Sequence, residues 1–208
     1  MAILDPRARI YAKPQGSEYV FGPDTEDNIL RPLIARGLVF AYTPNVTGGG
    51  SADYDEYTFT HSNYKYSAYN KSAPTEITID GPFTAQTNDE ARYLLAVLHF
   101  LKSATKSYFG VSDGDRAGTP PPVMLFDYLG ETMYKKTPVI LKSYQYTLEN
   151  DVDYVLVKGW DTYVPTKMML SITLDFYYNP KVLRDKFSLS DFQQGKYLGV
   201  KGNTGGFV

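Results

Sequence analysis

The sequence contains no cysteine. That excludes a disulfide framework, a thiolate metal site and a cysteine nucleophile together, and it fits assembly in a reducing cytoplasm. Histidine is nearly as scarce: His61 and His99 are the two copies, and neither has a metal-ligating neighbour four residues on. His99 falls in an apolar, helix-periodic stretch and reads as a satisfied structural histidine, whereas His61 reads as a turn residue. No stretch approaches the ~18 apolar residues of a membrane span. MAILDPRARIYAKPQG lacks a long apolar h-region, so a soluble chain is expected. Neither sign of charge dominates, with 21 basic against 23 acidic residues and a net charge of −2. No global basic field therefore advertises nucleic-acid or anionic-membrane binding.

Catalytic signatures are missing as well. There is no G-x-S-x-G, no Walker loop and no G-x-G-x-x-G. The Gly48-Gly-Gly50-Ser run lacks the flanking strand and helix that a phosphate loop needs, and reads as a linker. Asp113-Gly-Asp115-Arg-Ala-Gly118 has the opening of a calcium loop. Ala117 and Met124, however, occupy positions where an EF-hand needs ligands, so a turn is the better reading. Glu149, Asp151 and Asp153 read as solvated turn residues and not as a hydrolytic carboxylate pair. No catalytic residue, cofactor site or metal site is assigned, and the chain is expected not to be an enzyme.

What is abundant is tyrosine and phenylalanine, 19 and 11 copies in 208 residues, beside a single tryptophan. Tyrosine is amphipathic and suits half-buried pleated surfaces, so the composition leans toward β structure with extensive contact surface. The length suffices for one large domain with a real core. Residues 1–37 are punctuated by Pro6, Pro14, Gly16, Gly22, Pro23, Pro32 and Gly37, and read as an extended arm. LVFAYT (38–43) is the first strand, and PNVTGGGS (44–51) a flexible loop. In YTFTHSNYKYSAY (57–69) the apolar face changes parity between Phe59 and Tyr64, which predicts a bulge near His61 to Asn63. A hairpin with TEITID is expected to follow.

Thr87 to Gly110 carries the strongest helix signal. Thr87 and Glu90 have capping-box spacing, and Ala91, Leu94, Leu98 and Leu101 recur on one face. This helix, with Leu94, Leu98 and Leu101 as its core positions, is expected to cover the apolar face of a sheet. PVILKSYQYTL (138–148) is a strand with imperfect alternation, ENDVD (149–153) a tight acidic turn and YVLVK (154–158) another strand. KMMLSITLDFYY (167–178) alternates most cleanly, with Met168, Leu170, Ile172, Leu174 and Phe176 on one side. Asn179-Pro180 opens a short helix, Phe187 to Phe192 is a second short apolar element, and the glycine-rich tail from Gly195 reads as mobile.

Several stretches, taken in order, resemble one family. They are AQTNDEARYLLAVLHFLKSATKSYFG, AGTPPPVMLFDYLG, PVILKSYQYTLENDVDYV, YVPTKMMLSITLDFYYNP and FSLSDFQQG. Together they look like the baseplate tail-tube initiator (tail-tube cap or junction) proteins of contractile-tailed bacteriophages. VFAYTPNV is similar to a Phe-Pro-Tyr-Thr-Pro pattern of that family, with Ala41 where the pattern has a proline. The resemblance covers residues 38–195. It implies a mainly β fold with one long helix: a tail-tube-like β-barrel or sandwich of two packed antiparallel sheets, plus a short C-terminal helix. Together with the punctuated N-terminal stretch and the glycine-rich C-terminal end, the expected organisation is an arm over 1–37, a tube-like domain over 38–194 containing the helix at 87–109, and a flexible tail over 195–208.

By the same resemblance the chain forms a six-fold ring between the baseplate hub and the tail tube, and nucleates tube assembly. Its expected place is the virion tail, assembled in the host cytoplasm. Its expected partners are itself, the tail tube protein, and the hub, wedge or second initiator proteins. DNA would pass through the lumen without specific contact, and no membrane is involved. Tyr57, Phe59, Tyr64, Tyr66, Leu170, Ile172, Leu174 and Phe176 are the candidate core or tube-wall strand positions, and Phe187, Leu189 and Phe192 a candidate docking segment. Pro120, Pro121 and Pro122 are candidate positioning residues, setting where the post-helix loop hands the chain back to the sheet. Two alternatives stand beside this reading: an ordinary tail-tube or terminator ring subunit, and a glycan- or receptor-binding β-sandwich.

Overall fold

The alternation in residues 167–176 builds the centre of the molecule. In the computed structural model, which describes residues 5–13, 17–109, 114, 116–129, 133–197 and 206–208, this stretch is a ten-residue strand whose Met168, Leu170, Ile172 and Leu174 are buried. The strands in chain order are β1 (Arg9–Tyr11), β2 (Leu38–Val39), β3 (Asn45–Thr47), β4 (Gly50–Tyr57), β5 (Tyr66–Pro74), β6 (Ile77–Thr84), β7 (Met124–Tyr128), β8 (Tyr134–Leu148), β9 (Tyr154–Val157), β10 (Thr162–Pro165) and β11 (Lys167–Phe176). The helices are α1 (Ser17–Phe21), α2 (Arg31–Ile34), α3 (Asn88–Ala104), α4 (Pro180–Lys186) and α5 (Leu189–Gln193). The fold is mainly β with one long helix. A seven-stranded antiparallel sheet runs in the order β2-β1-β7-β8-β11-β6-β3, and two two-stranded ribbons, β4-β5 and β9-β10, join it.

Helix α3 forms as its sequence dictates. The Thr87 hydroxyl accepts from the Glu90 N–H at 3.3 Å, and the Glu90 carboxylate accepts from the Thr87 and Gln86 N–H groups at 3.1 and 2.8 Å, closing the capping box. Its Ala91, Leu94, Val97 and Leu101 are buried against the sheet and the β9-β10 ribbon, with Leu98 half-buried at the margin. The helix ends at Ala104, earlier than expected, because the Thr105 hydroxyl donates to the Leu101 and Lys102 carbonyls and caps the last turn. Gly110, the expected stop, lies outside the described residues, as do parts of the Asp113 loop and most of the C-terminal tail. His99, read from the sequence as a satisfied structural histidine, is exposed on the outer side of α3. Desolvation, with the nearby Lys102 charge, holds its pKa below the usual histidine value.

The N-terminal stretch departs most from the sequence reading. Over its described residues it is no arm: β1 sits between β2 and β7, and Ala8, Ile10, Phe21 and Leu33 are buried in the main core. Short elements between prolines and glycines carry too few residues for periodicity to register, yet each buries one or two side chains. Gly37 shows the cost of that fit. Its φ is +72°, and a Cβ there would lie 2.3 Å from the Ile10 carbonyl oxygen.

The parity switch between Phe59 and Tyr64 is a hairpin turn and not a bulge. β4 pairs with β5 from Gly50↔Pro74 to Tyr57↔Tyr66, with His61 in the left-handed region at the tip. TEITID pairs instead with β3 and β11. β3 and β6 thus form the base, inside the sheet, of a long hairpin whose outer half is the β4-β5 ribbon. The expected loop at 44–51 supplies β3 and the start of β4. The irregular alternation in β8 is a true bulge: Leu174 opposes Leu141 and Thr173 opposes Ser143, leaving Lys142 as the extra residue.

Candidate assembly interface

Register places two polar rows across four neighbouring strands. In one, Gln145 of β8, Ser171 of β11, Asp80 of β6 and Asn45 of β3 stand side by side; in the next, Ser143, Thr173, Thr78 and Thr47 do. Opposed residues share a sheet face, so these side chains make a continuous hydrophilic surface. Its opposite side is the apolar face of Ile77, Ile79, Leu170, Ile172 and Leu174. The rows contain one carboxylate, Asp80, and no Lys or Arg. Such a surface holds water and offers phosphates no cation.

This four-stranded region has an open edge on each side. β8 is paired with β7 only from Tyr134 to Val139, while its partner β11 follows it to Leu148. From Lys142 to Leu148 the other edge of β8 therefore has no strand beside it among the described residues. Most of this run is exposed, including Tyr146 and Leu148 at 44% and 53%. On the far side, among the described residues, β3 pairs only with β6, and its outer edge continues into β4. A free strand edge seven residues long is a liability in a monomer, because its backbone donors and acceptors template another strand.

Of the candidate wall positions, Leu170, Ile172 and Leu174 are buried and Phe176 packs at the core margin. Tyr57, Phe59, Tyr64 and Tyr66 do not belong to the core. They lie on or near the tip of the β4-β5 ribbon at 50%, 62%, 80% and 57% exposure. Every residue of β4 is exposed, and so is β5 up to Pro74. Tyr54 meets Tyr69 edge-on at 5.8 Å, and Phe59 meets Tyr66 at 5.5 Å. These pairs hold the ribbon together while leaving its aromatic faces uncovered. Eight residues of strand reach about 26 Å beyond the sheet. Sequence alternation found these tyrosines; only the structure reveals that they are exposed among the described residues.

The candidate docking segment lies in an aromatic cluster. Phe187, at 44% exposure, contacts Phe192, Tyr197 and Phe207 with ring centroids 6.2, 6.1 and 5.8 Å apart. Phe207 stacks in turn on Tyr178 at 5.7 Å. The described end of the C-terminal tail is thus held against α4 and the end of β11. Leu189 stands apart at 62% exposure. Burial raises the Tyr178 hydroxyl to about 12.

Pro120 to Pro122 precede β7, an interior strand, and do not interrupt it. The Tyr19 hydroxyl donates to the Pro120 carbonyl at 3.3 Å, and Pro122 lines a small cavity with Tyr19 and Tyr108. The triplet thus packs against Tyr19 of its own chain. Among the described residues no group of three or more His, Cys, Asp or Glu side chains is placed to hold a metal. Among the described residues no helix is long and apolar enough to cross a membrane. No protein-family model matches this chain, and no curated protein matches it.

Proposed function

We propose that this protein is a ring-forming structural subunit that sits between the baseplate hub and tail tube of a contractile-tailed phage and nucleates assembly of the tube. The observation that carries the reading is the polar four-stranded face flanked by two unpaired edges. Pairing the Lys142–Leu148 edge of one copy with the β3-β4 edge of the next repeats one heterologous contact, and such contacts close into rings when the rotation per step allows. Each polar face then becomes a segment of one inner wall, wet and almost free of cations, past which DNA slides without being gripped. The exposed β4-β5 ribbon reaches outside the subunit and supplies contact with neighbours or with the first tube ring. The order of sequence stretches that resemble tail-tube initiators supports the hub–tube location.

The test is kinetic. Purified protein mixed with its baseplate partners shortens the lag of tube-protein polymerisation on this reading, and an unchanged lag counts against it. A second reading has one observation in its favour: Tyr57, Phe59, Tyr64 and Tyr66 form an exposed aromatic surface of the kind that stacks on sugar rings. Glycan-array binding that is lost on replacing these residues with serine, without any effect on tube formation, would favour a receptor- or glycan-binding role.

A further inference from the structure

The two ends of the β8-β11 ribbon carry opposite charge. At the end where β8 begins and β11 finishes, a groove of about 920 Å³ opens between β1, the start of β8, α4 and the chain's last residues. Arg9, Lys13, Lys136 and Lys186 line it. Arg9 is paired with Asp127 at 2.7 Å, while Lys13, Lys136 and Lys186 have no ion-pair partner among the described residues. Its lining also includes the apolar side chains of Leu125, Pro138, Val182 and Phe207. At the other end, beyond the Leu148↔Met168 pair, lies the turn Glu149–Asp153. Glu149 is held by Lys167 at 2.9 Å, but Asp151 and Asp153 are exposed and unpaired among the described residues, and Tyr154 beside them is 71% exposed. The two ends are separated by about 27 Å of strand.

We infer that the basic groove is a docking site for the Asp151–Tyr154 turn of a second copy of this chain. The match is chemical and geometric. Two free carboxylates meet three unpartnered lysines, and an exposed aromatic ring meets the apolar side chains of the lining. Because donor and acceptor surfaces sit at opposite ends of one ribbon, the contact is head-to-tail and runs along the strands. It is distinct from the edge-to-edge contact proposed above, which runs across them, and does not depend on it.

Charge exchange tests this in the full-length protein. One variant carries Lys136→Glu and Lys186→Glu; the other carries Asp151→Lys and Asp153→Lys. All four positions are exposed, and circular dichroism verifies the fold of each. Light scattering across a concentration series should show self-association for the wild type, weakened by added salt, and at least about ten-fold weaker association for either variant alone. An equimolar mixture should regain it, since each variant's groove then meets an oppositely charged turn. A wild type that shows no salt-sensitive association would overturn the inference, as would folded variants that associate like wild type or a mixture that fails to recover. Loss of six-fold closure with recovery in the mixture intact would fault the ring reading alone. Should the groove variant not fold, Asp151→Asn/Asp153→Asn must weaken association by itself, and unchanged association there overturns the inference equally.

Discussion

The Thr75 N–H donates to the Gly49 carbonyl at 2.7 Å, and this bond joins the base of the long hairpin, inside the sheet, to its exposed outer half. On one side of it the strands β3 and β6 are fixed by the core; on the other, β4 and β5 pair with each other and their residues are exposed up to Pro74.

Replacing residues 52–71 with an Asn-Gly turn removes no buried side chain, so the free energy of unfolding should change by no more than about 1 kcal/mol. Tube nucleation should nevertheless be lost. Chemical denaturation and the polymerisation lag measure the two separately, and a large fall in stability would show that the ribbon belongs to the core.

The core makes the opposite demand. Leu94→Ala and Ile172→Ala each empty a fully buried site and should cost about 2–5 kcal/mol. Leu98→Ala, at the half-buried margin of the same helix, should cost less than either. Thr87→Ala breaks the capping box and should cost about 0.5–2 kcal/mol. The order Ile172 and Leu94 above Leu98, read from denaturation midpoints at constant slope, checks that α3 lies as described.

For the prolines the structure changes the expectation. As a positioning device for assembly, the triplet would impair ring formation more than folding when replaced. Its contacts with Tyr19 and its place before an interior strand point to folding instead. Replacing Pro120, Pro121 and Pro122 with alanine should lower stability by roughly 1–3 kcal/mol, chiefly by loosening the unfolded chain. Assembly should fall only in proportion. Assembly lost at unchanged stability would restore the positioning role.

The C-terminal cluster should respond to alkali. Burial lifts the Tyr178 pKa from 10.0 to about 12, so the neutral hydroxyl is favoured in the folded state. Its contribution to stability is therefore complete below pH 10 and declines as pH rises toward 12. Hydrogen exchange or near-ultraviolet dichroism should report loosening of the Phe207 stack in that window. Tyr178→Phe keeps the ring and removes the ionising group, and should abolish the response.

Much of this was legible in the sequence, and the exceptions share a cause. The capping box at Thr87 and Glu90, the alternation of Met168 to Leu174, the Asn179 cap and the prolines before β7 are local signals, and each forms the expected element. The β1 strand and the turn at His61 depend on partners far along the chain. Parity change alone does not distinguish a bulge from a hairpin turn, because both shift the apolar face by one residue. Likewise Tyr57 and Tyr66 alternate like core residues, yet among the described residues no second layer lies over them. Nor does sequence reveal an unpaired edge: the exposure of Lys142 to Leu148 follows from where β7 stops, a matter of tertiary register.

The central claim is that this chain closes into a ring by joining its open edges, at the junction of hub and tube. A side-chain-resolution reconstruction of the phage tail tests it most directly. The expected result is a six-fold layer at that junction, with Lys142–Leu148 of each copy paired to the β3-β4 edge of its neighbour and the Gln145–Ser171–Asp80 row facing the lumen. Absence of this chain from the junction, or its presence there with the β8 edge facing solvent, would contradict the account.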